Sequence, residues 1–408
     1  MAATTQFKYS VRDRAGKLVQ GELAAETEAA LVQRLKQMGY APVSIEQAHS
    51  GMQREIKIPG FGNKVKLKDL AIMSRQFATM INSGLSLMRA LSILAEQTES
   101  KALAVVLAEV RNDVEAGQSL SMAMAKHPKV FPPLMTNMCK AGEIGGFLDQ
   151  VLLQIAENYE SEVKLRSKIK SAMTYPIVVG CIAVIAVIAM LTFIVPTFAK
   201  LFKQLGAKLP APTQFLVDIS HGMKFLVPIG FLTVIALFMV WKRIKHRDDV
   251  RRFVDPLKLK VPVFGMLFQK VAIARFSRNL GTMIRSGVPI LQALDIVADT
   301  TGNYTITAAV RDVQESVRQG ESLTQPLSQH DVFPPMVVQM MSVGEDTGAL
   351  DTMLAKIAQF YDQEVEATTE SLTALIEPIM IAVMGGVVGG MIVCLYLPIF
   401  DIYNKVGS

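Results

Sequence analysis

The sequence is poor in the side chains that build redox, metal and nucleophilic sites. Its 408 residues include three cysteines and five histidines. Cys139, Cys181 and Cys394 are far apart and give no disulfide framework or zinc motif, so we expect small, buried apolar residues. The histidines show no metal-ligand spacing, and no phosphate-binding glycine-lysine loop, zincin histidine pair or nucleophile elbow occurs. The sequence therefore predicts neither an enzyme nor a metal or cofactor site.

Charge is also absent from three long windows, residues 171–199, 225–241 and 378–400. The last window holds 23 residues. As a helix rising about 1.5 Å per residue it spans about 34 Å, enough to cross a hydrocarbon core about 30 Å thick. Hydrophobic residues make up 50% of the chain and the mean hydropathy is +0.32, which suits a protein partly in lipid. No ionisable residue lies at mid-window, where it would mark a transport path, so a permease is the disfavoured alternative.

The distribution of Lys and Arg predicts how the windows cross the membrane. Ten basic residues precede the first window or follow the second: Lys164, Arg166, Lys168, Lys170, Lys242, Arg243, Lys245, Arg247, Arg251 and Arg252. The segment between them, residues 200–224, has four: Lys200, Lys203, Lys208 and Lys224. Since basic residues concentrate in cytoplasmic flanks, we expect residues 200–224 to form a short periplasmic loop.

The ends of the chain follow from the same argument. The first ten residues lack the apolar core of a signal peptide, so we expect a cytoplasmic N-terminus. The third window then crosses by parity and leaves residues 401–408 as a periplasmic tail. The net charge of +6 could suggest nucleic acid, but no basic stripe interleaved with aromatic residues occurs. Anionic lipid headgroups explain the basic flanks better.

The chain contains an internal repeat. The motif Phe131-Pro132-Pro133 returns as Phe333-Pro334-Pro335, at an offset of 333 − 131 = 202. Upstream, Gly84 corresponds to Gly287 at an offset of 287 − 84 = 203. Solenoid units run about 20 to 50 residues, so a period this long indicates a duplicated domain. Each copy runs directly into an apolar window.

The periodicities predict the fold class: a mainly α, polytopic membrane protein with two homologous cytoplasmic helical bundles of about six helices each. Residues 1–48 read as a small α+β unit with a hairpin, a helix over 27–38 and a third strand at 43–45, and residues 49–66 as a linker. The bundles occupy residues 67–170 and 271–377, with a basic connector at 242–270. The second span has no repeat partner, and it returns the chain so that both bundles lie on one face.

A glycine-acid motif is the sharpest polar part of the repeat. It consists of Gly142, Glu143, Asp149 and their equivalents Gly344, Glu345, Asp351. The structural interpretation is an interhelical turn with the acids near the N-terminus of the sixth helix, where negative charge is favoured. The alternative is an acidic patch that meets a basic partner or a divalent ion, although two acids cannot supply the six oxygens that calcium needs.

The third window carries two overlapping small-residue pairs: Gly385, Gly386, Gly389 and Gly390. Such glycines let another helix approach closely in lipid, so we predict a packing face, against either the first span or another protomer. The starts of the first and third spans carry Tyr175-Pro176 and Glu377-Pro378. Pro196 and Pro398 occupy matching places near the far ends, and we expect these prolines to start or kink helices rather than to bind a ligand.

Several motifs in their order along the chain resemble the PilC/GspF family. They are the approach to the first span at 168–176, KIKSAMTYP, the connector sequence KLKVPVFG at 258–265, and YLPIF at 396–400. The resemblance covers essentially the whole chain, and the Met-Thr-Tyr-Pro form at 173–176 is more like the pilus branch than the secretion branch.

The resemblance implies a non-enzymatic platform in the bacterial inner membrane at the base of a type IV pilus. It implies cytoplasmic bundles that engage hexameric motor ATPases for assembly and retraction, and a membrane part that meets pilin subunits. Inner-membrane alignment proteins and further copies of the chain, as a dimer or larger assembly, are the other implied partners. A type II secretion platform of the same family is the alternative function.

Overall fold

The computed structural model describes residues 5–12, 18–25, 30–32, 35, 41–47, 64–204, 209–244, 247–262 and 264–406. The chain divides into two compact units, residues 1–63 and residues 64–408. The predicted turn at 13–17 and the predicted linker from 49 to 63 lie outside the described residues.

The first unit contains a three-stranded antiparallel sheet. Strands β1 (Thr5–Arg12), β2 (Leu18–Ala25) and β3 (Ala41–Gln47) are arranged in the order β2-β1-β3. Tyr9 of β1 lies opposite Gly21 of β2 and Ile45 of β3. Residues 30–32 and 35 are helical, and Leu31 and Leu35 are buried. The predicted hairpin and third strand are present, and the third strand is longer than residues 43–45.

The first bundle begins at Leu67 and has six helices within the described residues. They are α1 (Leu67–Asn82), α2 (Leu87–Gln97), α3 (Lys101–Glu115), α4 (Leu120–Ala125), α5 (Pro133–Gly145) and α6 (Leu148–Ala189). Helix α5 starts on Pro133, whose missing N–H would have no partner in a first turn. It ends at Gly146, whose φ of +74° is the left-handed conformation that glycine adopts without strain.

The membrane part consists of helices that continue beyond the predicted windows. A short π-helical segment (Met190–Ile194) follows α6, and α7 (Val195–Gln204) continues from it. Helix α8 (Ala211–Ile244) then returns, and α9 (Asp248–Lys260) leads to the second bundle. Much of the predicted periplasmic loop at 200–224 is helical, because α7 continues to Gln204 and the first turns of α8 bury Thr213 and Ser220 against the other spans. Its side of the membrane stays a prediction.

The second bundle repeats the plan of the first. Its helices are α10 (Phe264–Arg285), α11 (Ile290–Thr300), α12 (Tyr304–Arg318), α13 (Thr324–Ser328), α14 (Pro335–Asp346) and α15 (Leu350–Val406). Helix α10 begins before the predicted start at residue 271. There Gly265 packs so closely on the Leu259 carbonyl that a Cβ would lie 2.1 Å from its oxygen, so the connector is folded against the bundle.

One continuous apolar core fills both bundles. On α1, Leu70, Met73 and Phe77 are at most 3% exposed, as their helical spacing predicts. The side chains of α10 at the predicted core positions Phe276 and Leu280 are at most 1% exposed. A fully buried side chain of this size contributes about 1.5 to 3 kcal/mol relative to its exposed state.

Two helices connect the bundles to the membrane without a break. Helix α6 passes through Pro176 and α15 through Pro378, so in each copy the sixth bundle helix and the span are one element. The two helices run side by side in the same direction: Lys168 pairs with Glu366, and Leu191 packs in one cluster with Met391 further along. Both bundles therefore lie at the same end of the spans.

Three helices are long and apolar enough to cross a membrane, within residues 148–204, 225–244 and 350–400 of the described chain. This confirms the predicted fold class, a mainly α polytopic protein with two homologous bundles. The second span differs from the other two, since its apolar side chains from Phe225 to Trp241 are exposed and none of its window is buried in the protein.

Candidate functional site

The glycines of the repeated motif allow close approach of two helices. A Cβ at Gly142 would lie 3.0 Å from the Val151 side chain and 3.1 Å from the Leu148 Cα. A Cβ at Gly344 would lie 3.0 Å from the Leu350 Cα. These contacts are tighter than ordinary van der Waals distance, so each glycine lets the fifth helix of its bundle pack against the start of the sixth.

The acids of the motif act at two different helix starts. Asp149 and Asp351 lie in the first turns of α6 and α15, as predicted, and Asp351 is 3.4 Å from Arg285. Glu143 and Glu345 do not: they lie in the last turns of α5 and α14. The prediction that every acid sits near the sixth helix was wrong for this pair, because a residue of α5 faces the neighbouring helix α4 instead.

Glu143 and Glu345 cap the short fourth helix of each bundle. Glu143 accepts hydrogen bonds from the Leu120 N–H at 2.5 Å and from the Ser121 N–H at 3.2 Å. Glu345 accepts from the Leu323 N–H at 2.8 Å and from the Ser322 hydroxyl at 2.8 Å. The first N–H groups of a helix have no partner within it, so these carboxylates satisfy donors that the chain cannot otherwise pair.

The helix packing at the glycines and the capping by the glutamates explain why both bundles contain the glycine-acid motif. A role of this motif in binding a partner stays a prediction. Among the described residues, no group of three or more His, Cys, Asp or Glu side chains could hold a metal ion.

An ion pair absent from our sequence predictions occurs in both bundles. The guanidinium of Arg75 on α1 donates to both carboxylate oxygens of Glu160 on α6, at 2.6 and 2.5 Å. Arg278 on α10 pairs with Asp362 on α15, at the repeat offsets 278 − 75 = 203 and 362 − 160 = 202. The hydrogen bond from Arg75 lowers the pKa of Glu160. The sequence does contain a signal for this ion pair, because both copies of the repeat keep an arginine and an acid at equivalent positions.

Hydroxyl groups of α8 bind carbonyls that prolines leave open. An α-helical carbonyl accepts from the N–H four residues later, so Pro398, which has no N–H, leaves the Cys394 carbonyl without a donor. The Thr213 hydroxyl donates to that carbonyl at 2.5 Å. In lipid no water can satisfy such a group, and a neighbouring hydroxyl is one of the few available partners.

The first span has a related contact. The Val195 N–H bonds to the Met190 carbonyl in the π-helical segment, so the donor for the Leu191 carbonyl would come from residue 196, which is a proline. The Ser220 hydroxyl donates to the Leu191 carbonyl at 2.6 Å. The carbonyls that Pro196 and Pro398 leave open therefore bind α8 to both other spans. The sequence-based interpretation of these prolines as helix starts or kinks did not predict this role.

The glycines predicted to form a packing face have open space where a side chain would project. A Cβ at Gly385, Gly386, Gly389 or Gly390 would meet nothing within 4 Å. The packing face stays a prediction, since no other helix among the described residues comes within 4 Å of a Cβ at these four positions.

The starts of the first and third spans form a shallow groove of about 360 Å³. Its lining includes Tyr175, Pro176, Glu377, Met380 and Gly385. The structure thus brings three of the four predicted span-start residues together with one membrane glycine. Pro378 lies outside the groove lining.

The cysteines differ from expectation in their burial. Cys139 is buried, and burial raises the pKa of its thiol. Cys181 is exposed and Cys394 is partly exposed. The expectation of buried residues was wrong for Cys181, because it lies on an outer face of its span that no other helix of the described residues covers.

Comparisons with known proteins agree with the internal repeat. The chain matches the family described as type II secretion system (T2SS), protein F, over residues 73–196 and again over residues 276–398. Residues 1–46 match the N-terminal domain of the same family. The two larger matches begin and end at the repeat offsets of 203 and 202, since 276 − 73 = 203 and 398 − 196 = 202.

Curated relatives align over nearly the whole chain. A type IV pilus assembly protein PilC from Myxococcus xanthus is 44% identical over 406 residues, covering 99% of this chain and 96% of that protein. A protein of the same name from Thermus thermophilus is 43% identical, covering 97% and 98%. Type II secretion system protein F from Vibrio cholerae is 33% identical, covering 98% of both chains.

Proposed function

Because this chain belongs to the family of type II secretion system protein F, we propose that it is the inner-membrane platform of a type IV pilus machine. In this role it couples hexameric motor ATPases in the cytoplasm to the insertion or removal of pilin subunits. It carries out no reaction itself and works as a dimer or larger assembly, next to inner-membrane alignment proteins.

The observation that carries the proposal is the unbroken path from each bundle into the membrane. Helix α15 holds 57 residues and contains bundle and span in one element. Helix α6 holds 42 residues and enters its span directly, and the π-helical segment and α7 complete that span without a loop. A displacement of either bundle is passed to its span without an intervening loop. The basic flanks of the spans support a cytoplasmic location for the bundles, with the C-terminus in the periplasm.

The pilus branch is favoured over the secretion branch by similarity. The relatives named for type IV pilus assembly reach 44% and 43% identity, whereas those named for type II secretion reach 33%. The secretion platform is the second candidate function, because the Vibrio cholerae relative also aligns over 98% of the chain.

Deletion of the chromosomal gene tests the proposal. We expect surface pili to disappear while the motor ATPases stay at normal levels, and a wild-type copy to restore the pili. Loss of secreted enzymes with normal piliation would instead support the secretion platform. Capture of a motor ATPase by the tagged, detergent-solubilised chain tests the coupling directly, with the chain lacking residues 271–377 as a comparison.

A further inference from the structure

The two bundles contact each other through different faces. The face of the second bundle formed by α10 and α15 receives the outer side of α6 from the first bundle. Glu162 of α6 lies 2.7 Å from Arg275 and 3.9 Å from Arg278. Asn158 of α6 donates to the amide oxygen of Asn279 at 3.1 Å.

The contact continues toward the membrane with apolar and charged groups. Leu165 of α6 is 4% exposed and packs in one cluster with Val365 and Leu372 of α15. One turn further, the Lys168 ammonium pairs with the Glu366 carboxylate. We call the receiving face on α10 and α15 the socket; it contains Arg275, Arg278, Asn279, Val365 and Glu366. We call the outer side of α6 the plug; it contains Asn158, Glu162, Leu165 and Lys168.

The repeat supplies the first bundle with a socket of its own. The equivalent face lies on α1 and α6 and forms an open groove of about 520 Å³, lined mainly by apolar surface. Ile72 at its floor is 48% exposed. Val163 and Ser167 are partly or fully exposed there, while the equivalent Val365 and Thr369 are buried beneath α6.

The second bundle likewise has a plug of its own, on the outer side of α15. The equivalent of Asn158 is Phe360, at 158 + 202 = 360, and it is 40% exposed. Ala367 and Glu370, the equivalents of Leu165 and Lys168, are also exposed. A plug-to-socket contact is heterologous, so one contact within a chain necessarily leaves one socket and one plug open.

The open socket and the open plug are complementary in charge. In the chain Lys168 meets Glu366; the equivalent residues are Glu370 on the open plug and Lys164 on the open socket. The charge has changed sign on both sides, so the pair stays attractive. Glu162 and Arg278 correspond to Glu364 and Arg75 with signs unchanged, whereas Arg275, which also contacts Glu162, corresponds to the apolar Ile72. Each group of this second pair has a partner in its own bundle: Arg75 binds Glu160, and Glu364 binds Lys270. Arg278 likewise keeps Asp362 while it faces Glu162, so such a partner does not prevent the contact.

We propose that the open socket on α1 and α6 binds the α15 plug of a second copy of this chain. The contact repeats between copies the arrangement that joins the bundles within one copy. Depending on its rotation it closes into a ring or continues as an array. The inference rests on the self-association named in the proposed function and specifies its surface, and it is independent of any motor contact.

Cross-linking between two copies tests the surface. Full-length copies with different tags are expressed together, one carrying Gln76→Cys and the other Phe360→Cys, both with Cys181→Ser and Cys394→Ser. Gln76 and Phe360 are equivalent to Asn279 and Asn158, which are in hydrogen-bond contact. We expect mild oxidation of the membranes to join the two tags. Val105→Cys, exposed on α3, replaces Gln76→Cys as the matched control and should give no product.

A charge exchange gives an independent measurement. Lys164→Glu alone and Glu370→Lys alone should each reduce co-purification of the two tagged copies several-fold, and the two changes in one chain should restore it. Lys140→Glu, an exposed change on α5, should have no effect.

The proposal is overturned if the Gln76→Cys copy gives no more product than the Val105→Cys control, or if it links only to its own chain or to another protein. It is equally overturned if the double exchange restores nothing. If co-purification persists without the cross-link, the copies associate through another face, and the proposed platform function still stands.

Discussion

Thr213 and Ser220 show how single hydroxyl groups stabilise the membrane part. Each is buried and donates to a carbonyl left open by a proline of another span. Interhelical hydrogen bonds in membranes contribute about 0.6 kcal/mol on average and up to about 1.7 kcal/mol. Since the carbonyl cannot find water instead, we expect these two bonds to lie in the upper part of that range.

Replacement of Thr213 by valine therefore has a defined expected result. The free energy of unfolding in detergent should fall by about 1 to 1.7 kcal/mol, because the Cys394 carbonyl is left unpaired in an apolar environment. Thr233→Val is the control, since its hydroxyl bonds only to the Ile229 carbonyl of its own helix and lies on an exposed face. Equal stability of the two variants would contradict the proline-carbonyl explanation.

Glu143 provides a second prediction at this scale. Replacement by alanine should lower the free energy of unfolding by about 1 to 3 kcal/mol, because the Leu120 and Ser121 N–H groups lose their acceptor. Thermal unfolding and membrane abundance measure the effect. Lys140→Ala on the same helix, an exposed change, should leave both near wild type.

The ion pair of Arg75 and Glu160 predicts a pH dependence. Arg75 lowers the pKa of Glu160 below its ordinary value of 4.5, so the folded state binds the carboxyl proton less readily than the unfolded state. The stabilisation is therefore complete above that ordinary value and is lost as the pH falls through the lowered pKa. Both side chains are partly exposed, so the contribution is small, below about 1 kcal/mol.

Comparison of Glu160→Gln with the wild type measures this contribution. The difference in thermal midpoint should be present at neutral pH and shrink on acidification below the ordinary glutamate pKa. A difference that stays constant across the acid range would show that the carboxylate charge is not involved.

At the scale of elements, sequence periodicity predicted which helices exist better than it predicted where each helix begins and ends. The spacing of Leu70, Met73 and Phe77 identified α1 and its buried side. Hydropathy located the spans, but it could not show that α6 and α15 pass through Pro176 and Pro378 as single helices. Continuity depends on tertiary neighbours: the Thr373 hydroxyl lies 3.5 Å from the Ala172 carbonyl, which Pro176 leaves open, and such contacts have no local sequence signal.

The continuity of α6 can be interrupted by an insertion that replaces none of its residues. Insertion of three glycines between Lys170 and Ser171 should leave the protein in the membrane and able to capture a motor ATPase. It should abolish surface pili, because glycine disfavours helix and the bundle no longer moves its span. The same insertion after Glu99, in the turn between α2 and α3, is the control. Normal piliation with the first insertion would show that a rigid connection is not required.

For the whole molecule, the repeat predicted two bundles at one end of three spans, and the structure agrees. It did not predict how the bundles meet, because Glu162, Asn158 and their partners lie at non-equivalent positions of the two copies. A repeat in sequence implies that the two bundles have similar folds. The contact between the two bundles of one chain depends on positions at which their sequences differ.

The side of the membrane on which the bundles lie is a prediction at this scale. Single cysteines at Ser50 and at Gly320, between α12 and α13, should both resist a membrane-impermeant thiol reagent added to intact cells with a permeabilised outer membrane. Both should react after lysis. Labelling of one site but not the other in intact cells would contradict the common orientation.

The length of α15 has a mechanical consequence. At about 1.5 Å per residue, its 57 residues extend over about 86 Å. If such a rod tilts by about 5°, its ends are displaced relative to each other by about 7.5 Å, more than the helical pitch of about 5.4 Å. A small swing at the bundle end is therefore expected to become a displacement of several ångströms at the other end of α15, because no loop interrupts the helix.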